Sequence, residues 1–107
     1  MAADSKPPDA VFAALADPTR RGILRTVSAR GPLTATALAA ELPISRQAVA
    51  KHLGLLRDAG LVRADRRGRE TCFSADPKPL DDLASWATQT GRRWERRLAR
   101  LRDQLSE

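Results

Sequence analysis

Apolar residues recur along the chain in helical blocks, with one alternating block between them, and polar or proline-bearing stretches separate the blocks. Val11, Phe12 and Leu15 form one face of a short helix over 10–16, with Asp9 placed to cap it. Asp17-Pro18 starts a second helix that runs to about Ala29. Asp is a favoured cap, and proline at the first helical position gives up only an N–H that would have no partner. Ile23, Leu24 and Val27 are its inward stripe, and Gly31-Pro32 closes it. Thr34 caps a third helix to about Leu42, with Leu38, Ala39 and Leu42 inward, and Pro43-Ile44 makes a tight connection. Ser45 then caps a fourth helix, which carries Val49, Leu53 and Leu56 to Gly60, where a positive φ is tolerated. Two helices joined by about three residues fit a helix-turn-helix.

Past Gly60 the texture changes to Leu61-Val62-Arg63-Ala64-Asp65, a turn at Arg66-Arg67-Gly68-Arg69, and Glu70 to Ala75 with Thr71 and Phe73 alternating. This pattern predicts a β-hairpin, which Asp76-Pro77 and Pro79 break off. From Leu80 onward, Leu80, Leu83, Ala87, Thr90, Trp94, Leu98, Leu101 and Leu105 recur at steps of three and four. That stripe predicts one helix of roughly 27 residues, about 40 Å long. The expected fold is mainly α with a small β-hairpin: four helices, two strands and a long last helix, a winged helix-turn-helix. It divides into an N-terminal arm over 1–9, a winged domain over 10–79 and a terminal dimerisation helix over 80–107 of the same single domain.

A helix that overhangs so small a domain, carrying Trp86 and Trp94, is better covered by a second copy of the chain than left in water. The expected homodimer interface consists of Phe12, Leu15, Leu80, Leu83, Trp86, Ala87, Trp94, Leu98 and Leu101.

Charge changes the picture next. Nineteen Lys and Arg against 13 Asp and Glu give a net charge of +6, and the isoelectric point lies near 11.0. Such a balance suits a polyanionic partner. No run reaches the roughly 18 apolar residues of a membrane span, and Met1 to Asp9 lack the apolar core of a secretion signal, so a cytoplasmic protein without membrane contact is expected. A single cysteine, Cys72, and a single histidine, His52, supply neither a disulfide nor a metal cluster within one chain. No cofactor, no metal site and no enzymatic activity are expected.

Placement of the cations points to double-stranded DNA. On the fourth helix, Ala48, Val49, His52, Leu53 and Leu56 share one side, and Gln47, Ala50, Lys51 and Gly54 lie opposite, with Arg46 at the exposed amino end. Small residues on a cationic face permit close entry into a major groove. Glycine inside a helix costs roughly 1 kcal/mol, so Gly54 reflects either tolerance or a need for close approach. Arg46 can grip guanine, Gln47 adenine and Lys51 a phosphate or base, while Ser45 and Thr34 can donate to phosphate from helix amino ends. His52 flanks the apolar side, where it can pack within the domain or bond a phosphate. Arg66, Arg67 and Arg69 around Gly68 make the hairpin a wing for the adjacent groove. The arginines of the last helix read as its solvated face, and Cys72 as a small filler rather than a redox switch. A rival reading is a winged helix that offers its basic face to an acidic protein.

Ala16-Asp17-Pro18-Thr19-Arg20-Arg21 followed by Ile23-Leu24, then Ser45 through Leu53, then Leu56-Arg57-Asp58-Ala59-Gly60-Leu61-Val62 form three ordered stretches. Together they resemble the ArsR/SmtB family of bacterial repressors. The likeness spans roughly Val11 to Ala75, and the long last helix is consistent with the family's dimerisation helix. The resemblance implies a winged-helix homodimer that represses a target promoter until an inducer or metal weakens binding; here any inducer would be an unknown one. Metal sensors of that family carry a Cys-x-Cys pair where this chain has Thr34 and Thr36, and others place histidine on the last helix, which here has none. The resemblance is therefore to a branch without those ligand motifs.

Overall fold

A computed structural model describes residues 9–106, without the side chain of Ser106. The expected arm over 1–9 lies outside the described residues except for Asp9, which is already the first residue of α1 (Asp9–Leu15) rather than a cap before it. After α1 come α2 (Pro18–Arg30), β1 (Leu33–Thr34), α3 (Ala35–Ala39), α4 (Arg46–Asp58), β2 (Val62–Arg67), β3 (Glu70–Ala75) and α5 (Lys78–Ser106). The winged helix-turn-helix expected from the pattern is present, with one more strand than the pattern showed.

Asp17 caps α2 by accepting from the backbone N–H groups of Thr19 at 2.7 Å and Arg20 at 3.4 Å. Thr34 and Ser45 cap α3 and α4, each accepting from the amide three residues on, at 3.0 and 3.1 Å. Gly31 and Gly60 follow their helices at φ 84 and 80. Val11, Ala14, Ile23, Leu24, Val27, Leu38, Val49, Leu53, Leu56, Leu61 and Val62 make one core. On α1 the buried residues are Val11 and Ala14, whereas Phe12 faces out and Leu15 is half-buried, which corrects the expected face.

Two expectations were off in length. The third helix stops at Ala39 instead of Leu42, because Pro43 disfavours a helical Leu42. The connection to α4 is therefore longer than the expected three residues. Conversely, α5 begins at Lys78, and Pro79 does not delay it, since the first turn has no use for the proline's missing N–H. The sheet has the order β1-β3-β2 and is antiparallel throughout, pairing Leu33 and Ala64 on either side of Phe73. Leu33 and Phe73 pack on the core from this sheet. Two residues are too few to show alternation, so β1 had no sequence signal.

Arg67 pairs with Glu70 across the two-residue turn Gly68-Arg69. Gly68 has φ 64 and Arg69 is not at positive φ, the combination of a type II′ hairpin turn. The cationic tip is thus held by a short turn on a three-stranded base.

Candidate nucleic-acid interface

The amino end of α4 leads the candidate interface. Val49, Leu53 and Leu56 are fully buried and fix the helix on the core, which leaves Arg46, Gln47, Ala50 and Lys51 exposed. No acidic residue lies in its first turn, so the unpaired amides there and the cations act in the same sense on an anion. Arg46 is held from the side: its Nε donates to Thr36 Oγ1 at 3.0 Å, which ties α3 to α4 across the connection. A Cβ built at Gly54 would meet nothing within 4 Å, so the fold itself does not require glycine there.

Thr34 is half-buried and accepts from Ala37, while Ser45 is exposed and accepts from Ala48; both caps still have hydroxyl protons to donate. Arg66, Arg67 and Arg69 are all exposed, and Arg66 Nε folds back onto the carbonyl of Gly68 at 3.2 Å, bracing the turn. Between α4 and the wing lies a cleft of about 380 Å³, lined by Thr34, Thr36, Arg46 and Ala50 on one side and Arg69 and Thr71 on the other. The structure therefore brings Thr34, Arg46, Ala50 and Arg69 to one concavity.

His52 stands apart from these. Its Nδ1 lies 3.3 Å from an Arg20 guanidinium nitrogen that also approaches Asp17 Oδ2 at 3.5 Å. Arg20 further donates from Nε to the carbonyl of Ala14 at 2.7 Å and from its other terminal nitrogen to that of Ala13 at 3.3 Å. One guanidinium thus gathers the carboxyl end of α1, the cap of α2 and the flank of α4. Of the two roles open to His52, packing within the domain is the one these contacts occupy. Asp17 is held below the usual carboxylate range, chiefly by the Thr19 amide, with further help from the Arg20 amide and the nearby positive charges.

Two features escaped the sequence reading. Arg57 lines the cleft, and the available signal was its spacing of eleven residues from Arg46, three turns of helix. Arg20 sits in a quoted motif, but only its partners reveal it as a latch. On the expected dimer surface, Trp94, Leu98 and Leu101 are at least half exposed. Leu15, Leu80 and Leu83 instead pack partly on their own core, and Phe12 meets Trp86 of the same chain edge to face at 5.2 Å. Cys72 is half-buried in the middle strand, opposite Thr34 and Asp65.

A basic, small-residue helix over a buried stripe, followed by an arginine-tipped hairpin, defines a winged helix-turn-helix that binds DNA. Comparison with known proteins agrees. A helix-turn-helix domain family matches residues 15–64. The HTH-type transcriptional regulator YuzN of Bacillus subtilis is 44% identical over 81 residues, covering 70% of this chain and 88% of that protein. The transcriptional repressor SdpR of the same organism is 34% identical, covering 71% of this chain and 83% of that protein. An ArsR-like transcriptional regulator from Rhodococcus sp. RHA1 superposes with a TM-score of 0.82 at 42% identity, covering 90% of both chains. The chain belongs to the ArsR family of DNA-binding transcriptional regulators, and it is not an enzyme. Among the described residues, no helix is long and apolar enough to cross a membrane.

Proposed function

We propose that the chain is a homodimeric repressor whose two α4 helices enter successive major grooves of a pseudo-palindromic operator, about one helical turn or a multiple apart. The observation that carries this reading is the exposed face of Arg46, Gln47, Ala50 and Lys51 on a helix locked to the core by Val49, Leu53 and Leu56. Arg46 and Gln47 read base edges, Lys51 and Ser45 meet phosphates, and Thr34 supports the backbone contact from α3. Gly54 lets the helix lie close, and Arg66, Arg67 and Arg69 reach the adjacent minor groove. The repressing sense is supported by SdpR, a repressor by name, and the homodimer by the exposed apolar stripe of α5.

Selection of bound fragments from the source genome tests the proposal. The expected result is a set of sites with two-fold symmetry and an affinity that falls steeply between low and physiological salt. Arg46→Ala should relax sequence preference, and Arg67→Ala should weaken all duplexes alike. Recovery of no symmetric site, with capture of an acidic protein by the same face, would overturn it.

A further inference from the structure

The exposed surface of α4 carries two rows, and one of them turns toward the wing. Arg46, Ala50 and Arg57 fall within about 40° of one another on a helical projection. All three line the cleft whose far wall carries Arg69, Glu70 and Thr71. Gln47, Lys51 and Gly54 form the neighbouring row. Arg57 follows Arg46 by eleven residues, about 16 Å along the helix axis. A major groove is about 12 Å wide. With Arg46 at base edges, Arg57 therefore lies at the groove's rim, where the sugar-phosphate backbone runs.

We propose that the cleft between α4 and the wing seats the backbone ridge that separates the major groove read by α4 from the minor groove entered by the wing. Arg57 and Arg69 grip the phosphates of that ridge from its two sides. This rests on the DNA reading above and adds to it a phosphate seat and a contact residue. The lining suits such a guest. Ala35, Ala50 and Phe73 offer apolar surface to sugar faces, and Thr34, Thr36 and Thr71 offer hydroxyl donors. Among the described lining residues, the guanidiniums of Arg46, Arg57 and Arg69 stand against the carboxylate of Glu70, whose register partner across the hairpin is Arg67. Among the described residues, the Arg57 guanidinium pairs with Asp58, at 3.9 Å between two exposed side chains. Such pairs are weak, and a phosphate can displace this one.

The test uses the full chain, the duplex recovered by selection and a scrambled duplex. The Arg57 side chain is 56% exposed, so Arg57→Gln leaves the core intact, which circular dichroism verifies. The variant should bind both duplexes about tenfold more weakly, with a log-log salt slope shallower by about 1. A scan of neutral methylphosphonates along the half-site flank should then find a position that weakens the wild type and to which Arg57→Gln is indifferent. An unchanged salt slope, a loss confined to the selected sequence, or a methylphosphonate profile identical to wild type would each overturn the seat. Failure of the wild type to bind any duplex would instead remove the DNA reading, and the seat with it. Normal wild-type binding beside an unaffected variant removes the seat alone.

Discussion

Arg46, the first residue of α4, donates through Nε to the hydroxyl of Thr36 on α3 at 3.0 Å. Both side chains are exposed, so the bond does not serve to satisfy a buried group. Its effect is to restrict a guanidinium that would otherwise sweep many rotamers, and in the proposed docking the two terminal nitrogens are the ones offered to a guanine edge. Thr36 is on this view a positioning residue. Thr36→Val keeps the shape and removes the acceptor. The ratio of affinities for selected and scrambled duplexes should fall roughly threefold to tenfold, the worth of one such hydrogen bond, with the salt slope unchanged. Thr36→Ser should restore it. An unaltered ratio in Thr36→Val would show that Arg46 needs no such guide.

Gly54 and Gly22 both lie inside helices, and a Cβ at either meets nothing within 4 Å. Alanine at each should stabilise the fold by up to about 1 kcal/mol through helix propensity. The two should differ on DNA. In the proposed docking Gly54 lies on the row of α4 that faces the groove, where a methyl group would hold the backbone away from base edges, whereas Gly22 is on α2. Denaturant unfolding should show both variants as stable as wild type or more so, and only Gly54→Ala should bind the selected duplex less tightly. Equal DNA affinity in both variants would mean that Gly54 is merely tolerated.

Much of this architecture was legible because it is local. Asp17-Pro18, Thr34 and Ser45 announce helix starts by their own capping chemistry, and the caps of all three form as read. The buried stripe of α4 follows from its period alone, and so does its opposite, cationic face. Long-range pairing left no such trace. The strand Leu33–Thr34 exists because β3 presents Phe73 and Cys72 to it, some forty residues away in sequence. Likewise, Arg20 looks like any surface arginine until α1, α2 and α4 meet around it. Arg57 escaped for a different reason: its spacing from Arg46 was visible, but the wing that makes a cleft of that row was not.

The cap of α2 gives the stability a dependence on acid. Asp17 is held below the usual carboxylate range in the fold, first by the Thr19 amide, so the folded state favours its charged form. A group whose folded value is lowered contributes stability that is present above its unfolded value, near pH 4, and lost as the pH falls through the folded one. Asp17→Ala should therefore be less stable than wild type by a constant margin from about pH 5 to neutrality, a margin that shrinks as the pH falls below 4. Thermal unfolding along a pH series reads this directly. A margin that holds constant into acid would assign the loss to something other than the carboxylate.

The apolar stripe of α5 changes character along its length. Leu80 and Leu83 pack partly on the core of their own chain, and Trp86 meets Phe12. Trp94, Leu98 and Leu101 are 57%, 52% and 50% exposed, and Arg97 leans over the Trp94 ring at 5.4 Å. The distal half therefore contributes little to the fold of a single chain and has an unmet demand for cover, which a second copy can supply. A charge at Leu98 separates the two roles. Leu98→Asp should leave the circular dichroism of the winged domain unchanged, shift sedimentation from dimer to monomer, and weaken binding to a two-fold operator by more than tenfold. Its binding to an isolated half-site should stay close to wild type, because two linked half-sites are engaged together only when the protomers are joined. A Leu98→Asp chain that still sediments as a dimer would place the interface elsewhere, and one that is monomeric yet binds the full operator normally would remove dimerisation from the mechanism.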